Sequence, residues 1–320
     1  MIGITRIEPG LSPLTDVLRR VVHEWRSREF PWLQGREPAR RTLLMGVLNV
    51  TPDSFSDGGK FLETSEAVEH ALRMEADGAD VIDVGGCSTR PGAEEPAVEE
   101  ELARVVPVIE RLRAKSRVPV SVDTCRVSVA KAALDAGADI VNDVTALADP
   151  AMRDLVAARD AAVVLMHMQG TPRTMQQDPR YADLVGEVFR FLAEAVRRAE
   201  SAGVRRERIA VDPGFGFGKT VAHNLEILAR LAEFRSLGRP VVIGPSRKST
   251  IGKVLSRGGP RDKDRPVGER LFGTAATVAL AVASGAAVVR VHDVAEMKDV
   301  VRMTEAVVRP GLQNPAPSGR

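Results

Sequence analysis

A chain of 320 residues with 44% hydrophobic content is long enough to bury a large core, either as two ordinary domains or as one α/β barrel. It carries 45 Lys and Arg residues against 43 Asp and Glu residues, a net charge of +2. This balance gives no support to a nucleic-acid-binding or membrane-surface protein, so any anion binding is expected to be local.

The N-terminal sequence lacks an apolar signal core, and the most hydrophobic later stretch, 274–291, is interrupted by Ser284, Gly285 and Arg290. We therefore expect neither secretion nor a membrane span. The two cysteines, Cys87 and Cys125, form no C-x-x-C pair. A chain of this size needs no disulfide, and we expect both to be reduced thiols in a cytoplasmic protein.

Residues 1–40 are predicted to form an N-terminal extension. Leu11, Leu14, Leu18 and Trp25 have helical spacing, which favours an amphipathic helix packed on the outside or the floor of the main domain. Residues 310–320 have the composition of a disordered tail. The main domain is therefore expected to span 41–309.

From residue 43 onward, short apolar runs alternate with amphipathic stretches. The apolar runs predict eight strands, at 43–50, 81–86, 119–124, 140–145, 163–168, 209–214, 240–246 and 287–293. Helical periodicity fills the intervals, as at 63–77, 98–115, 127–135, 181–202 and 223–234. Eight such units match a TIM (β/α)8 barrel in number and length, whereas a doubly wound sheet would need fewer strands and a second domain.

Three of the predicted strands follow nearly the same phrase: "ADGADVIDV", "DAGADIVND" and "ASGAAVVRV". The glycine in each phrase fits a left-handed helix cap, and the small residue after it lets the chain turn directly into a strand. A repeated helix-to-strand unit is therefore expected.

The active site of a TIM barrel lies where the strands end at the C-terminal face, and here every predicted strand ends in polar residues. Strands three, four and six supply Asp123, Asn142 and Asp212, which we name the acidic recess. Two carboxylates and an amide suit a flat heterocycle with paired N–H donors. They would also stabilise positive charge that develops on a bound substrate.

A basic sector is predicted on the opposite side of the barrel. The segment "GPSRKSTIG", 244–252, runs from strand seven into a helix, so backbone N–H groups, Ser249 and Lys248 are expected to hold an anion. Arg290 and His292 follow at the end of strand eight and point to one face. This arrangement predicts a substrate that is heterocyclic at one end and phosphorylated at the other. A phosphate that leaves as an anion, and a second substrate that collects the remaining cation, make a transfer reaction.

Two loops are predicted to complete the site. The loop "NVTPDSFSDGG" after strand one is long and glycine-hinged, with Phe55 available to keep water off the cation. The loop "GGCSTRPG" after strand two presents Thr89, Arg90 and Pro91. The segment "DPGFGFGK" lacks the spacing of either glycine-rich nucleotide motif. We interpret its Phe217 as an apolar wall and its Lys219 as a minor or structural charge.

The motifs "MGVLNVTPDSFSDGG", "GGCSTRPGA", "SVDT", "IVNDVT", "LMHMQGTP", "DPGFGFGK", "SRKS" and "RVHDV" occur in this order over residues 43–308. Together they resemble those of the dihydropteroate synthase family. The resemblance implies a pterin-binding TIM barrel that condenses 6-hydroxymethyl-7,8-dihydropterin pyrophosphate with p-aminobenzoate. The products would be pyrophosphate and dihydropteroate for folate synthesis. The resemblance also implies Mg²⁺, a sulfonamide target and a homodimer formed through the outer helices.

By motif position, the resemblance assigns roles to individual residues. The pterin would be held by Asp123, Asn142, Met166, Asp212 and Lys248. The pyrophosphate would be held by Asn49, Thr89, Arg90, Arg290 and His292, with Mg²⁺ bridging it to Asn49. The p-aminobenzoate would be framed by Thr89, Pro91, Phe217, Lys248 and Ser249. Catalysis would involve Asp123, Lys248, Asn49, Arg90 and, from the first loop, Asp57.

The mechanism that we expect is dissociative. Pyrophosphate departs first, Asp123 stabilises the pterin methylene cation, and the arylamine attacks it. Because an aniline nitrogen is neutral at pH 7, it attacks as it stands and needs no dedicated general base.

One departure and two alternatives accompany this reading. Cys87 stands where many relatives have Glu, which could alter how the second loop is braced. A pterin-binding methyltransferase barrel would keep the acidic recess but would leave the basic residues unexplained. A non-catalytic pterin-binding paralogue or interaction scaffold would have no use for Asn49, Asp53 and Asp57.

Overall fold

The chain folds as a ring of parallel strands with helices between them. The computed structural model describes residues 41–50, 59–87, 96–171, 173–256 and 264–309. The predicted N-terminal helix, the predicted tail and the tips of the first two loops therefore lie outside the described residues.

The eight strands confirm the predicted barrel. They are β1 (Leu43–Asn49), β2 (Val81–Gly85), β3 (Val120–Asp123), β4 (Ile140–Asp143), β5 (Ala162–Met166), β6 (Ile209–Asp212), β7 (Val242–Ile243) and β8 (Val288–Val291). Neighbours pair in parallel in the order β6-β5-β4-β3-β2-β1-β8-β7. A parallel bridge between Val211 and Val241 joins the two ends, so the ring is nearly closed.

Helices follow the strands and cover the outside of the ring. Within the described ranges they are α1 (Gly59–Asp77), α2 (Val98–Lys115), α3 (Val127–Asp135), α4 (Pro150–Ala158), α5 (Leu184–Ser201), α6 (Val221–Ala229), α7 (Ser249–Val254), α8 (Leu271–Ala283) and α9 (Val294–Val308). Each sequence stretch with helical periodicity overlaps one of these helices, although the ends differ by several residues in some cases. None of the described helices is long and apolar enough to cross a bilayer.

The helix-to-strand turns are built as the repeated phrase predicts. Gly78, Gly137 and Gly285 have φ angles of 112°, 106° and 87°. This left-handed region is open to glycine at little cost, since a Cβ would crowd the backbone there. The three turns deliver β2, β4 and β8 into the barrel in the same way.

Alternation along the strands separates two apolar layers. Outward side chains such as Leu44, Val84 and Val122 pack under the helices in the main core. Inward side chains fill the floor of the barrel, among them Leu43, Met45, Val81, Ile140, Ala162, Val164, Ala210, Val242 and Val288. Because inward positions recur every second residue, the residues two or four places further along each strand reach the C-terminal mouth on the same inner face.

Candidate active site

Polar side chains replace the apolar ones where the inner face reaches the mouth of the barrel. Asp83 lies two residues after Val81, Asn142 two after Ile140, and Arg290 two after Val288. The strand register places Asp123 beside Gly85 on one side and beside Asn142 on the other. The fold therefore gathers charges that are far apart in the sequence at one end of the barrel.

Arg290 lies at the centre of this cluster and contacts two carboxylates. Its Nε donates to Asp83 Oδ2 at 2.6 Å, and its NH2 group donates to Asp123 Oδ2 at 2.7 Å. Burial alone lowers the pKa of Arg290, but the two carboxylates more than reverse this and hold the pKa above its ordinary value. The guanidinium is thus a fixed positive charge in the site.

This contact corrects one expectation. The sequence predicts carboxylates on one wall and guanidinium groups on the opposite wall. The structure instead inserts Arg290 between Asp83 and Asp123, so the acidic recess and the anion-binding side share a boundary. The reason is strand order, since β8 pairs with β1 and lies only two strands from β2.

Asp83 is a site residue to which the sequence reasoning assigned no role. It is 0% exposed, and its Oδ2 accepts both from Arg290 and from Asn142 Nδ2, the latter at 3.2 Å. A signal was present in the sequence, because a charged residue in the middle of a buried strand needs a partner at the same depth.

The two carboxylates of the acidic recess, Asp123 and Asp212, have raised pKa values. Burial raises the pKa of Asp123 to about 7, against the opposing effect of Arg290. Burial likewise raises the pKa of Asp212 to about 6, although the Gly214 N–H donates to its Oδ1 at 2.7 Å. Carboxylates with such values at a barrel mouth are typical of functional sites.

Lys248 and Phe217 form the next part of the wall. The Lys248 Nζ lies 3.8 Å from the centre of the Phe217 ring, a cation–π contact. Burial, together with repulsion from Arg290, lowers the pKa of Lys248 to about 8. Phe217 packs in a small apolar cluster with Met166, Val144 and Met175. A flat ligand placed here would meet an apolar face and a cation together.

The loop after β6 carries Phe217 and depends on its glycines. Gly214, Gly216 and Gly218 all have positive φ angles. A Cβ on Gly214 would lie 1.8 Å from the His167 carbonyl oxygen, and one on Gly216 would lie 3.0 Å from the Lys248 side chain. These glycines serve close packing of the loop against His167, Gln169 and Lys248, which agrees with the interpretation that the segment is not a nucleotide-binding loop.

Lys219 makes its contacts within the wall of the site, which agrees with a structural charge. Its Nζ lies 3.0 Å from His167 Nδ1 and donates to the Phe217 carbonyl at 3.0 Å. His167 stacks edge-on against Phe191, with ring centres 4.8 Å apart. The pair therefore lies behind the wall and braces it from outside.

His292, after β8, is held by the segment that follows β7. Its Nδ1 lies 3.0 Å from Ser246 Oγ, and its backbone N–H donates to the same oxygen at 3.2 Å. Burial and the neighbouring Arg290 lower its pKa to about 3. Arg247 instead pairs with Asp293, at 3.0 Å between Nε and Oδ2. The neutral His292 thus lies at the site, whereas the Arg247 charge is already engaged. Ser249 is exposed at the start of α7.

Asn49 ends β1 at the edge of the same cluster. A Cβ on Gly85 would lie 3.8 Å from both Asn49 Oδ1 and Asp123 Oδ2, so these two oxygens flank one glycine. Among the described residues no group of three or more His, Cys, Asp or Glu side chains is placed to hold a metal ion. A metal here would therefore need oxygen ligands from a substrate.

Four of the predicted site residues lie outside the described residues. They are Asp57 of the first loop and Thr89, Arg90 and Pro91 of the second. The base of the second loop is described, and there Arg104 donates to the Gly86 carbonyl at 2.9 Å. Gly86 also packs closely against Glu101 and Val105, so α2 braces this loop beside Cys87.

Comparison with known proteins agrees with this geometry. A family described as "Pterin binding enzyme" matches residues 45–292. The dihydropteroate synthase of Escherichia coli K12 is 47% identical over 265 residues, which is 83% of this chain and 91% of that protein. The dihydropteroate synthase of Bacillus subtilis 168 is 45% identical over 272 residues, 85% of this chain and 90% of that protein.

Solved structures lead to the same family. Dihydropteroate synthase from Xanthomonas albilineans with 4-aminobenzoic acid is 47% identical and superimposes with a TM-score of 0.77, covering 84% of this chain and 94% of that one. A complex of the Xanthomonas albilineans enzyme with 7,8-dihydropteroate gives 45% identity and a TM-score of 0.75, with the same coverage. The chain thus belongs to the dihydropteroate synthases, the pterin-binding transferases of folate biosynthesis.

Proposed function

We propose that the chain condenses 6-hydroxymethyl-7,8-dihydropterin pyrophosphate with p-aminobenzoate, forming dihydropteroate and releasing pyrophosphate. The observation that carries this proposal is the ion-paired cluster of Asp123, Asp83 and Arg290 beside Asp212 and Lys248. It combines a site for a cationic heterocycle with a site for its anionic leaving group. Family membership supplies the substrates.

The pterin would occupy the acidic recess. Asp212 and Asn142 offer acceptor oxygens to the N–H groups of the ring, and Lys248 offers a donor to its carbonyl oxygen. Met166 is buried in the apolar cluster beside Phe217 and would pack on the ring face.

The pyrophosphate would lie on the side of Arg290 and His292, with Thr89 and Arg90 reaching it from the second loop. When the pyrophosphate forms an ion pair with Arg290, the Arg290 charge neutralises the Asp123 carboxylate less. It then faces the methylene carbon on which positive charge develops. Stabilisation of that cation is greatest in the transition state, which is where an interaction increases the rate.

The p-aminobenzoate would stack near Phe217, with its carboxylate close to Lys248 and Ser249 at the start of α7. Thr89 and Pro91 would frame it from the second loop. Its neutral amine attacks the cation directly and loses its proton afterwards, so no general base is needed. Asp57 would contribute from the first loop, which would exclude water from the cation.

Mg²⁺ fits this site as a substrate-borne ion. Asn49 has an amide oxygen at the mouth, and Mg²⁺ is usually held by one or two protein oxygens together with substrate phosphates. Asn49 would hold the ion on the protein side, and the chemistry it would supply is neutralisation of the leaving group's charge.

We also propose that the protein is a homodimer located in the cytoplasm. Exposed apolar side chains on the outer helices support the first part: Phe272 and Leu280 on α8, and Met303 and Val307 on α9. Patches of this kind commonly mark protein interfaces. Light scattering that gives the mass of one chain would contradict the dimer. Membership of a folate-biosynthesis family supports the location.

The reaction is tested by mixing the purified chain with the pterin pyrophosphate, Mg²⁺ and p-aminobenzoate, and measuring dihydropteroate by mass spectrometry. Product that depends on both substrates and is blocked by a sulfonamide supports the proposal. Substrates that remain unchanged with folded protein would contradict it.

A further inference from the structure

Asp83 connects two residues of the pterin site without being able to reach a substrate. It is 0% exposed at the level of the barrel interior just below the mouth. A single oxygen, Oδ2, accepts from Arg290 Nε at 2.6 Å and from Asn142 Nδ2 at 3.2 Å. Whatever Asp83 contributes must therefore pass through these two neighbours.

Only one arrangement of donors and acceptors is possible along the contacts from Arg290 through Asp83 to Asn142. A guanidinium can only donate, so the group beside Arg290 must accept. An ionised carboxylate can only accept, so Asn142 must turn its NH2 group toward Asp83. The orientation of the Asn142 amide therefore follows from which groups can donate and which can accept. It does not depend on telling the amide nitrogen from the amide oxygen by position alone.

The orientation of the Asn142 amide determines what its oxygen, Oδ1, can offer to a ligand. None of the described residues donates to Asn142 Oδ1, and Asn142 lies between Asp123 and β5 at the mouth. With Nδ2 held by Asp83, this site offers a ligand an acceptor. A ligand with an N–H group at this position is favoured, and one with a carbonyl oxygen there is disfavoured.

We propose that Asp83 is a positioning residue that sets the hydrogen-bonding polarity of Asn142, and thereby selects pterins over analogues that carry an oxo group in place of the ring amine. This inference rests on the proposed pterin site. It assigns the selectivity for the heterocycle partly to a residue that touches no substrate.

The neighbour of Asp83 across the sheet provides a matched control. Ser121 is its register partner on β3, is also 0% exposed, and has no hydrogen-bond partner for its Oγ among the described residues. Asp83 Oδ1 likewise has none in the described part of the chain. Ser121→Ala therefore alters the same layer of the barrel without touching Arg290 or Asn142.

The test is calorimetric binding of two probes, pterin and lumazine, in which an oxo group replaces the 2-amino group. We expect the wild type and Ser121→Ala to prefer pterin to the same extent. In Asp83→Ala the Asn142 amide is released and can turn, so the preference should fall by about tenfold. The KM for the pterin substrate should rise, while the KM for p-aminobenzoate should stay unchanged.

Asp83→Asn separates polarity from charge. Because Arg290 still demands an acceptor, the new amide must turn its oxygen toward Arg290 and Asn142, and the preference for pterin should be retained. A loss of preference in this folded variant would overturn the inference even if Asp83→Ala fails to fold.

Two results would overturn the inference: a wild-type preference in folded Asp83→Ala, or a loss of preference in folded Asp83→Asn as large as the tenfold expected for Ala. Wild-type protein that binds neither probe would instead contradict the proposed function, and this inference with it.

Discussion

Arg290 and the two carboxylates beside it set the charge of the whole site. Asp123 is buried next to a permanent cation, yet its pKa is raised to about 7, because the loss of water outweighs the attraction to Arg290. Lys248 is affected in the opposite sense, with a pKa lowered to about 8. Asp123 is therefore ionised and Lys248 protonated together only over a narrow range of pH.

A pH profile of kcat/KM follows from these two values. Asp123 must be ionised to stabilise the cation, so kcat/KM should fall as the pH drops below about 7. Lys248 must be protonated to bind anionic groups, so kcat/KM should also fall as the pH rises above about 8. Steady-state assays from pH 5.5 to pH 9.5 measure both limbs.

The variant Asp123→Asn distinguishes titration of the enzyme from titration of the substrate. Phosphates of the substrate titrate identically with any variant, whereas the Asp123 limb should be absent from Asp123→Asn. An acid limb of the same position and slope in Asp123→Asn would show that Asp123 is not the group responsible.

Lys248 borders both the acidic recess and the Phe217 ring. Lys248→Ala should raise the KM of the pterin substrate and of p-aminobenzoate by about tenfold or more each, because a charged hydrogen-bond donor is lost from both. Lys253→Ala, an exposed lysine in α7, serves as the control and should change neither KM. An effect of Lys248→Ala on one substrate alone would restrict its role to that substrate.

At this scale the sequence predicts which residues gather at the mouth better than it predicts their contacts. Asp123, Asn142 and Arg290 could be placed there because each ends a strand. The pairing of Arg290 with Asp83 could not, since it depends on the depth of each side chain in the barrel. Asp143 shows the converse: it also ends a strand, but its carboxylate faces outward and accepts from the Thr145 and Leu147 N–H groups.

Among the elements, the loop after β6 is the one whose backbone most restricts its sequence. Gly214→Ala combines a φ of 72° with a Cβ that would lie 1.8 Å from a carbonyl oxygen. We expect a destabilisation of about 1–3 kcal/mol, seen as a drop in melting temperature, with a higher KM for p-aminobenzoate as Phe217 moves.

Gly268 provides the comparison for this loop. It lies in a 3-10 turn, and a Cβ there would meet nothing within 4 Å. Gly268→Ala should stay within about 0.5 kcal/mol of the wild type. Equal melting temperatures for the two variants would show that the Gly214 contact does not constrain the loop.

Element boundaries differ from the predicted ones for local reasons. The seventh strand is predicted over 240–246 but spans only Val242–Ile243, because Pro240 and Pro245 have no N–H group for the ladder. The helix predicted at 223–234 begins at Val221, since Thr220 and His223 form a capping box, and it gives way to a 3-10 helix at Leu231–Leu237. Apolar periodicity reports the interior of an element more reliably than its caps.

For the whole molecule, the nearly closed ring of strands links the residues at the mouth to the rest of the fold. Ligand contacts would join strands that are not neighbours in the ring, such as β3 and β8. The number of strands and their alternation with helices could be predicted from the sequence, because eight similar units repeat. Closure of the ring is part of that prediction, but the single bridge through which β6 meets the seventh unit could not be placed from the sequence.

Binding of the leaving group should therefore stabilise the whole domain. Pyrophosphate with Mg²⁺ at about 100 times its dissociation constant should add about 2.7 kcal/mol and raise the melting temperature by about 5 °C or more. Sulfate with Mg²⁺ at equal ionic strength is the control. No shift at saturating pyrophosphate would favour a pterin-binding methyltransferase, which has no pyrophosphate to bind.

The role of the Asp123 carboxylate is tested most directly by measuring turnover and pterin binding side by side in Asp123→Asn. Asparagine keeps the size of the side chain but removes its charge. We expect kcat to fall by about 100-fold or more, while the dissociation constant for 6-hydroxymethylpterin without p-aminobenzoate changes by less than about threefold. Equal losses in turnover and binding would show that Asp123 only holds the pterin and does not stabilise the cation.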